Sequence, residues 1–207
     1  MENLKIGKKA PDFEAESTHG RIKISDFIGN WIVFFSCADD FTPVCTSELI
    51  EFSKMSEEFY NRGVQLLGLS RDSITSNLAW IYAIKMSSDI EITFPLISDS
   101  RHEISDMYNM LSHDNKTVGN VYLINPDGII CSILMYPKTT GMNVEEILRI
   151  LTSLQLSESA GVVTPANWKM NQAAMLPPPD NYNDLLFREA DMDGEFQDCS
   201  DWYMCYK

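Results

Sequence analysis

A five-residue apolar run, Trp31-Ile32-Val33-Phe34-Phe35, empties into the polar loop Cys37-Ala38-Asp39-Asp40-Phe41 and then into a helix start at Thr42-Pro43. Thr42 is a good N-cap, with a hydroxyl able to accept from first-turn amides, and Pro43 at the first helical position loses nothing by lacking an N–H. Cys45 then falls at the third helical position. There the orphan amides and the positive end of the helix dipole favour an anion, so its thiol is expected to ionise more readily than a free one. A strand that passes through a loop into a helix also places that residue at the carboxyl edge of a sheet, where α/β folds keep their chemistry. The competing reading of Cys45 is a buried structural cysteine.

The rest of the chain supplies a frame for this unit. Arg21-Ile22-Lys23-Ile24 alternates as a strand after a Thr18-His19-Gly20 turn, giving an opening hairpin region. A helix from Pro43 to about Asn61 carries Leu49, Phe52, Met55, Phe59 and Tyr60 at helical spacing, with Gly63 as terminator. Val64 to Ser70 reads as a buried strand, so a right-handed β-α-β crossover and a parallel pair follow. The pattern repeats with a helix from Ser73 to Met86 (Leu78, Ile81, Tyr82 and Lys85 marking it), a strand Phe94–Ser98 and a helical segment from Ile104 to Leu111. Val121–Ile124 and Ile129–Leu134 flank the turn Asn125-Pro126-Asp127-Gly128 and form an antiparallel hairpin. Val144 to Leu156 closes the domain as an amphipathic helix. Composition shifts near Glu158 to a segment with aromatics but no apolar periodicity of its own. Two regions result, 1–157 as the domain and 158–207 as an extension whose aromatics are expected to be buried on another subunit.

The formal charge of −14 over 207 residues argues against nucleic acid and against anionic membrane surfaces, since both require a basic face. The opening residues lack the apolar core of a signal peptide and no apolar run approaches a membrane span, which sets a cytoplasmic expectation. Five cysteines, Cys37, Cys45, Cys131, Cys199 and Cys205, in a reducing compartment point to redox chemistry or a metal rather than a structural framework.

The segment Asp40-Phe41-Thr42-Pro43-Val44-Cys45-Thr46-Ser47-Glu48 resembles the active site of the peroxiredoxins, thiol peroxidases of thioredoxin-like fold. Pro11-Asp12-Phe13, Leu134-Met135-Tyr136-Pro137, Thr140-Gly141-Met142-Asn143 and Thr164-Pro165-Ala166-Asn167-Trp168-Lys169 extend the likeness to the one-cysteine-type subfamily. The end, Cys199-Ser200-Asp201-Trp202-Tyr203-Met204-Cys205, resembles the C-terminal extension of its archaeal-type members. The resemblance implies an α/β thioredoxin-like fold, with a central mixed sheet flanked by helices and a C-terminal dimerisation extension. It also implies a homodimer, with a ring of five dimers as the larger assembly, and no cofactor. Chemically it implies reduction of hydrogen peroxide and organic hydroperoxides. Cys45 is then the peroxidatic nucleophile, Thr42 positions peroxide and thiolate, and Glu48 belongs to the site's hydrogen-bond network. Cys205 of a partner subunit is the resolving thiol with Cys199 as an accessory, and a thioredoxin-like donor restores the dithiol.

Several positions depart from the family pattern. Ala38 stands where the family has proline, Gly119 and Met142 where it has arginines, and Cys37 where it has histidine. Losing two guanidinium groups removes cations that depress the thiol pKa and stabilise charge on the leaving oxygen. A helix terminus is worth about 0.3–2 kcal/mol, against roughly 3 kcal/mol for a lost catalytic donor, so a slow peroxidase is expected unless Arg71 swings in. Cys37 offers a second thiol for resolution within the chain, or a metal ligand beside Cys45, or an apolar strand end. His19, His102 and His113 are scattered and Cys199 and Cys205 lack zinc-like spacing, so no metal is expected. Cys131 reads as core. The alternative to an enzyme is a weakened homologue acting as redox sensor, holdase or structural ring protein. A disulfide reductase ranks below both because the sequence contains no Cys-x-x-Cys.

Overall fold

The apolar run expected as a buried strand is β3 (Trp31–Cys37), and every one of its residues is buried. With β1 (Glu14–Ser17), β2 (Gly20–Lys23), β4 (Val64–Ser70), β5 (Leu96–Ser98), β6 (Gly119–Ile124) and β7 (Ile130–Tyr136) it forms a seven-stranded sheet of order β2-β1-β5-β4-β3-β6-β7. The strands β3, β4 and β5 pair in parallel and all other neighbours are antiparallel, which is the mixed sheet expected. The computed structural model describes residues 4–110, 119–190 and 198–207. His113 and the segment from Leu111 to Val118 fall outside the described residues. The chain divides into two compact units, Met1–Val144 and Glu145–Lys207.

Within the first unit, α1 (Pro43–Lys54) and α2 (Ser56–Tyr60) replace the single helix expected from Pro43 to Asn61. The break falls at Met55, where the Ser56 hydroxyl donates to the Ser53 carbonyl at 2.8 Å and competes with the helix ladder. Leu49, Phe52 and Phe59 are buried as expected, but Tyr60 is 78% exposed. The next helix, α3 (Ile74–Ser88), is capped by Ser73, whose hydroxyl accepts from the Ser76 amide at 3.2 Å. Its buried face is Asn77, Trp80 and Ile84; Leu78 and Tyr82, which marked the helix in the sequence, lie on the surface. A short helix, α4 (Glu103–Met107), follows β5.

Packing fixes where β3 ends. The ring of Phe35 stacks on Phe52 of α1 at 4.0 Å, and a side chain at Gly68 of β4 would meet Phe35 at 3.2 Å and Leu96 at 3.0 Å. A glycine there lets the aromatic lie flat on the strand. On the other side of the sheet Phe34 packs edge-on to the buried Tyr108 at 4.8 Å, and the Tyr108 hydroxyl donates to the Pro11 carbonyl at 2.6 Å. These contacts hold the last residues of β3, and hence the loop after them, against the start of α1.

The second unit holds α5 (Val144–Ala160, of which Val144 belongs to the first unit), α6 (Tyr182–Ala190) and the hairpin of β8 (Asp198–Asp201) with β9 (Met204–Tyr206). Leu176 N–H donates to the Cys205 carbonyl at 2.9 Å, and Ala174 and Lys207 exchange bonds of 3.1 and 2.8 Å, so the hairpin is tied to the segment before α6. Trp168, expected to await another subunit, is already buried in the single chain, with its indole N–H on the Gln172 carbonyl at 3.0 Å. Among the described residues no helix is long and apolar enough to cross a membrane.

Candidate active site

At the carboxyl end of β3 the backbone turns through Asp39 and Asp40 and enters α1 with Thr42 at the N-cap and Pro43 at the first position. Phe41 takes a left-handed φ of 55°, which a bulky residue adopts only when its surroundings force the turn. Cys45 is 5% exposed at the floor of a cavity of about 160 Å3 that Ala38, Thr42, Glu48, Gly119, Pro137 and Lys138 help to line. The expected geometry of the helix start is present, with one correction. The Thr42 hydroxyl caps no first-turn amide and instead donates to the Asp39 carbonyl at 2.9 Å, which shapes the loop.

The environment of Cys45 acidifies it strongly. Its pKa falls from 9.0 to about 5, chiefly because the Cys37 thiol donates to its sulfur; burial opposes ionisation, and Thr42 and the amides of Asp39 and Ala38 add to the fall. The Ala38 N–H lies 3.2 Å from Cys45 Sγ, a bond that the family's proline has no proton to make. Thr42 has one hydroxyl proton, which the Asp39 carbonyl and the thiolate share by rotation. Cys37 moves the opposite way. Its hydrogen bond to Cys45 and its complete burial hold it as the neutral thiol.

Arg71 reaches the site through the backbone. Its Nε donates to the Ala38 carbonyl at 3.1 Å and its Nη2 pairs with Asp39 at 2.5 Å. The Ala38 carbonyl and the Asp39 amide belong to one rigid trans peptide, so a guanidinium on the oxygen orients and polarises the N–H that faces Cys45. Lys138 pairs with the other oxygen of Asp39 at 3.1 Å. Burial raises the Asp39 carboxyl, but these two cations outweigh it and hold the group below its ordinary value. Asp39 and Lys138 escaped the sequence reading. Lys138 directly follows the Tyr136-Pro137 segment, so its sequence position was the available signal.

The two lost arginines leave an apolar seam. A side chain at Gly119 would meet the Met142 methyl at 3.2 Å, so the two replacements fill one space between them. The Met142 backbone N–H donates to Glu48 Oε1 at 3.0 Å. Burial pushes the Glu48 carboxyl up from 4.5 to about 7; the Met142 amide pulls it back and the Cys45 charge adds to the rise. Among the described residues, Cys37, Cys45 and Glu48 bring their ligating atoms within 4.8 Å of one another, a donor set that a thiophilic cation could also use. The tail cysteines belong to the second unit: Cys199 and Cys205 face each other across the β8–β9 pair and are joined by a disulfide. Cys131, on β7, donates to the Ile129 carbonyl at 3.5 Å and is half-buried, not core.

An acidified thiol at a helix start on the edge of this sheet is the arrangement a thiol-dependent peroxidase of thioredoxin-like fold requires, and the comparisons give that class. Residues 6–133 match the AhpC/TSA family and residues 153–187 match the C-terminal domain of 1-Cys peroxiredoxin. The chain is 43% identical to a peroxiredoxin 2 of Caldanaerobacter subterraneus subsp. tengcongensis, over 98% of this chain and 92% of that one. It is 41% identical to a peroxiredoxin of Aquifex aeolicus, over 98% and 96%. Its structure is similar to that of a yeast mitochondrial 1-Cys peroxiredoxin, with a TM-score of 0.85, 33% identity and 99% of each chain covered. The chain belongs to the peroxiredoxin family, in its one-cysteine-type branch, and carries a tail cysteine pair.

Proposed function

We propose that this peroxiredoxin reduces hydrogen peroxide and organic hydroperoxides through Cys45. The thiolate attacks one peroxide oxygen and becomes a sulfenic acid, while the other oxygen leaves as hydroxide or alkoxide and takes up a proton. The observation that carries this reading is the Cys45 sulfur itself, held as an anion at the floor of the cavity with the Ala38 N–H 3.2 Å away. Thr42 positions peroxide and thiolate, and Glu48, held by the Met142 N–H, belongs to the site's hydrogen-bond network. The Arg71-aligned peptide does part of the work that the arginines at Gly119 and Met142 do in the family.

Resolution by the arm completes the cycle. Cys205 of a partner subunit attacks the sulfenic sulfur, water leaves, and an intersubunit disulfide forms. Cys199 then attacks Cys205, freeing Cys45 as a thiolate and leaving the tail pair bonded as in the structure. A thioredoxin-like dithiol reduces that bond. The arm from residue 158 serves as the dimerisation extension, dimers assemble as rings of five, and the protein works in the cytoplasm. The yeast relative is described as resolved via glutathione/thioredoxin systems, which supports a thiol donor of this class.

The test is single-turnover oxidation of the reduced chain by hydrogen peroxide, followed by intact mass, with Cys45→Ser as control. Fast, Cys45-dependent loss of thiols supports the peroxidase. Oxidation no faster than that of an ordinary thiol favours the second reading, a sensor, holdase or ring protein, for which Ala38 and the Gly119–Met142 seam are the supporting observations.

A further inference from the structure

The peroxidase reading uses Cys37 only as a hydrogen-bond donor to Cys45 and leaves its own redox chemistry unused. Cys37 ends β3 with no exposed surface, and its sulfur is within 4.8 Å of Cys45 Sγ. We propose that Cys37 is a second redox thiol of this chain, condensing with the Cys45 sulfenic acid to form a disulfide inside the site. The proposal rests on Cys45 being the peroxide-reactive thiol.

Three observations carry it. First, a disulfide needs its sulfurs about 2 Å apart, and the two sulfurs already lie within 4.8 Å of one another. Proximity of that kind raises the effective concentration of the attacking group far above that of any thiol in solution. Second, Cys37 is fully buried behind Cys45, so peroxide entering the cavity meets Cys45 first and Cys37 stays reduced until needed. Third, the tail pair is bonded to itself in this structure, so neither tail sulfur has a thiol to offer in that state. Of the cysteines outside that disulfide, Cys131 sits on β7 and Cys37 touches Cys45.

The chemistry balances without a further reagent. Peroxide oxidises Cys45 to the sulfenic acid. The Cys37 sulfur then displaces the hydroxyl on Cys45 sulfur: an S–S bond forms, the S–O bond breaks, and the Cys37 proton leaves with the oxygen as water. Glu48, within 4.8 Å of both sulfurs, is placed to carry that proton. The product needs a dithiol to reopen it. Until then Cys45 is shielded from a second peroxide, so the internal bond prevents conversion to the sulfinic acid.

The test uses a chain in which Cys37 and Cys45 are the remaining thiols, with Cys131→Ser, Cys199→Ser and Cys205→Ser combined. It is treated with one equivalent of hydrogen peroxide, quenched with a thiol-alkylating agent, and digested with chymotrypsin, which cuts after Phe41 between the two cysteines. The expected result is loss of two hydrogens from the intact mass and a cross-linked pair of peptides bearing Cys37 and Cys45. The unsubstituted chain, oxidised with its tail pair closed, must give the same link. In Cys37→Ala, chosen to avoid a buried hydroxyl, the first oxidation slows because Cys45 loses its hydrogen-bond donor, yet the fraction of oxidised Cys45 that ends as sulfinic acid is expected to rise. Cys45 oxidised to sulfenic or sulfinic acid while Cys37 remains alkylatable would overturn the proposal and leave the peroxidase reading intact. No oxidation of Cys45 at all would overturn both.

Discussion

At the residue level, hydrogen bonds replace fixed cations around Cys45. The Arg71 guanidinium holds the Ala38 carbonyl, and through that peptide it aims the Asp39 amide at the thiolate. Arg71→Ala is therefore expected to raise the Cys45 pKa by about one unit, the worth of one charge-assisted hydrogen bond, and so to lower the oxidation rate about twofold at pH 6 and about tenfold at pH 4, with little change at pH 9. A pH profile of the single-turnover rate checks this; a uniform loss at all pH values would indicate a structural role instead. In the parent chain the rate should fall as pH drops through about 5, where the thiolate is protonated. Glu48 has the opposite sign. Its carboxyl is raised, so its contribution to stability is full below its ordinary value of 4.5 and is lost as pH rises through about 7. Glu48→Gln, which keeps an oxygen for the Met142 amide, should gain stability relative to the parent at pH 8.5 but not at pH 4.5. Urea midpoints at the two pH values measure the difference.

Among the elements, the junction of β3 with α1 decides whether the site exists. Phe52 of α1 lies on Phe35 of β3 at 4.0 Å, and Gly68 of β4 leaves room for that stack. Phe52→Ala should cost about 3–5 kcal/mol in urea unfolding, because the surrounding aromatics cannot collapse into the space. A loss under about 1 kcal/mol would mean that the junction repacks freely. Helix α3 secures the other side of α1, its Trp80 indole N–H donating to the Thr46 hydroxyl at 3.1 Å, one residue past the nucleophile. The same helix shows the limit of pattern reading. Apolar residues lie on both of its faces, so periodicity alone did not say whether Leu78 and Tyr82 or Trp80 and Ile84 would face inward.

For the whole molecule, the arm is an organised unit with its own backbone network. Its β8–β9 hairpin is closed by the Cys199–Cys205 bond and tied to the segment before α6 at Leu176 and Ala174. Reduction of that bond should speed hydrogen exchange at the amides of Leu176 and Lys207, measured against the amides of β3 as reference. Unchanged exchange would show that the backbone bonds hold the hairpin without the disulfide.

The strand-loop-helix signal around Cys45, the terminal hairpin of β6 and β7 and the parallel core were legible in the sequence because each rests on local rules: a buried strand's apolar run, a capped helix start, a turn of the Pro-Asp-Gly type. The substitutions at Ala38, Gly119, Met142 and Cys37 were equally visible, residue by residue. What they do was not. That the Ala38 amide bonds the thiolate, that Met142 fills the space beside Gly119, and that Arg71 acts through a peptide depend on groups far apart in the chain. The sequence by itself determined which atoms are available to Cys45. The tertiary structure decided which of them point at it, because a hydrogen bond depends on distance and angle that only the packed fold sets.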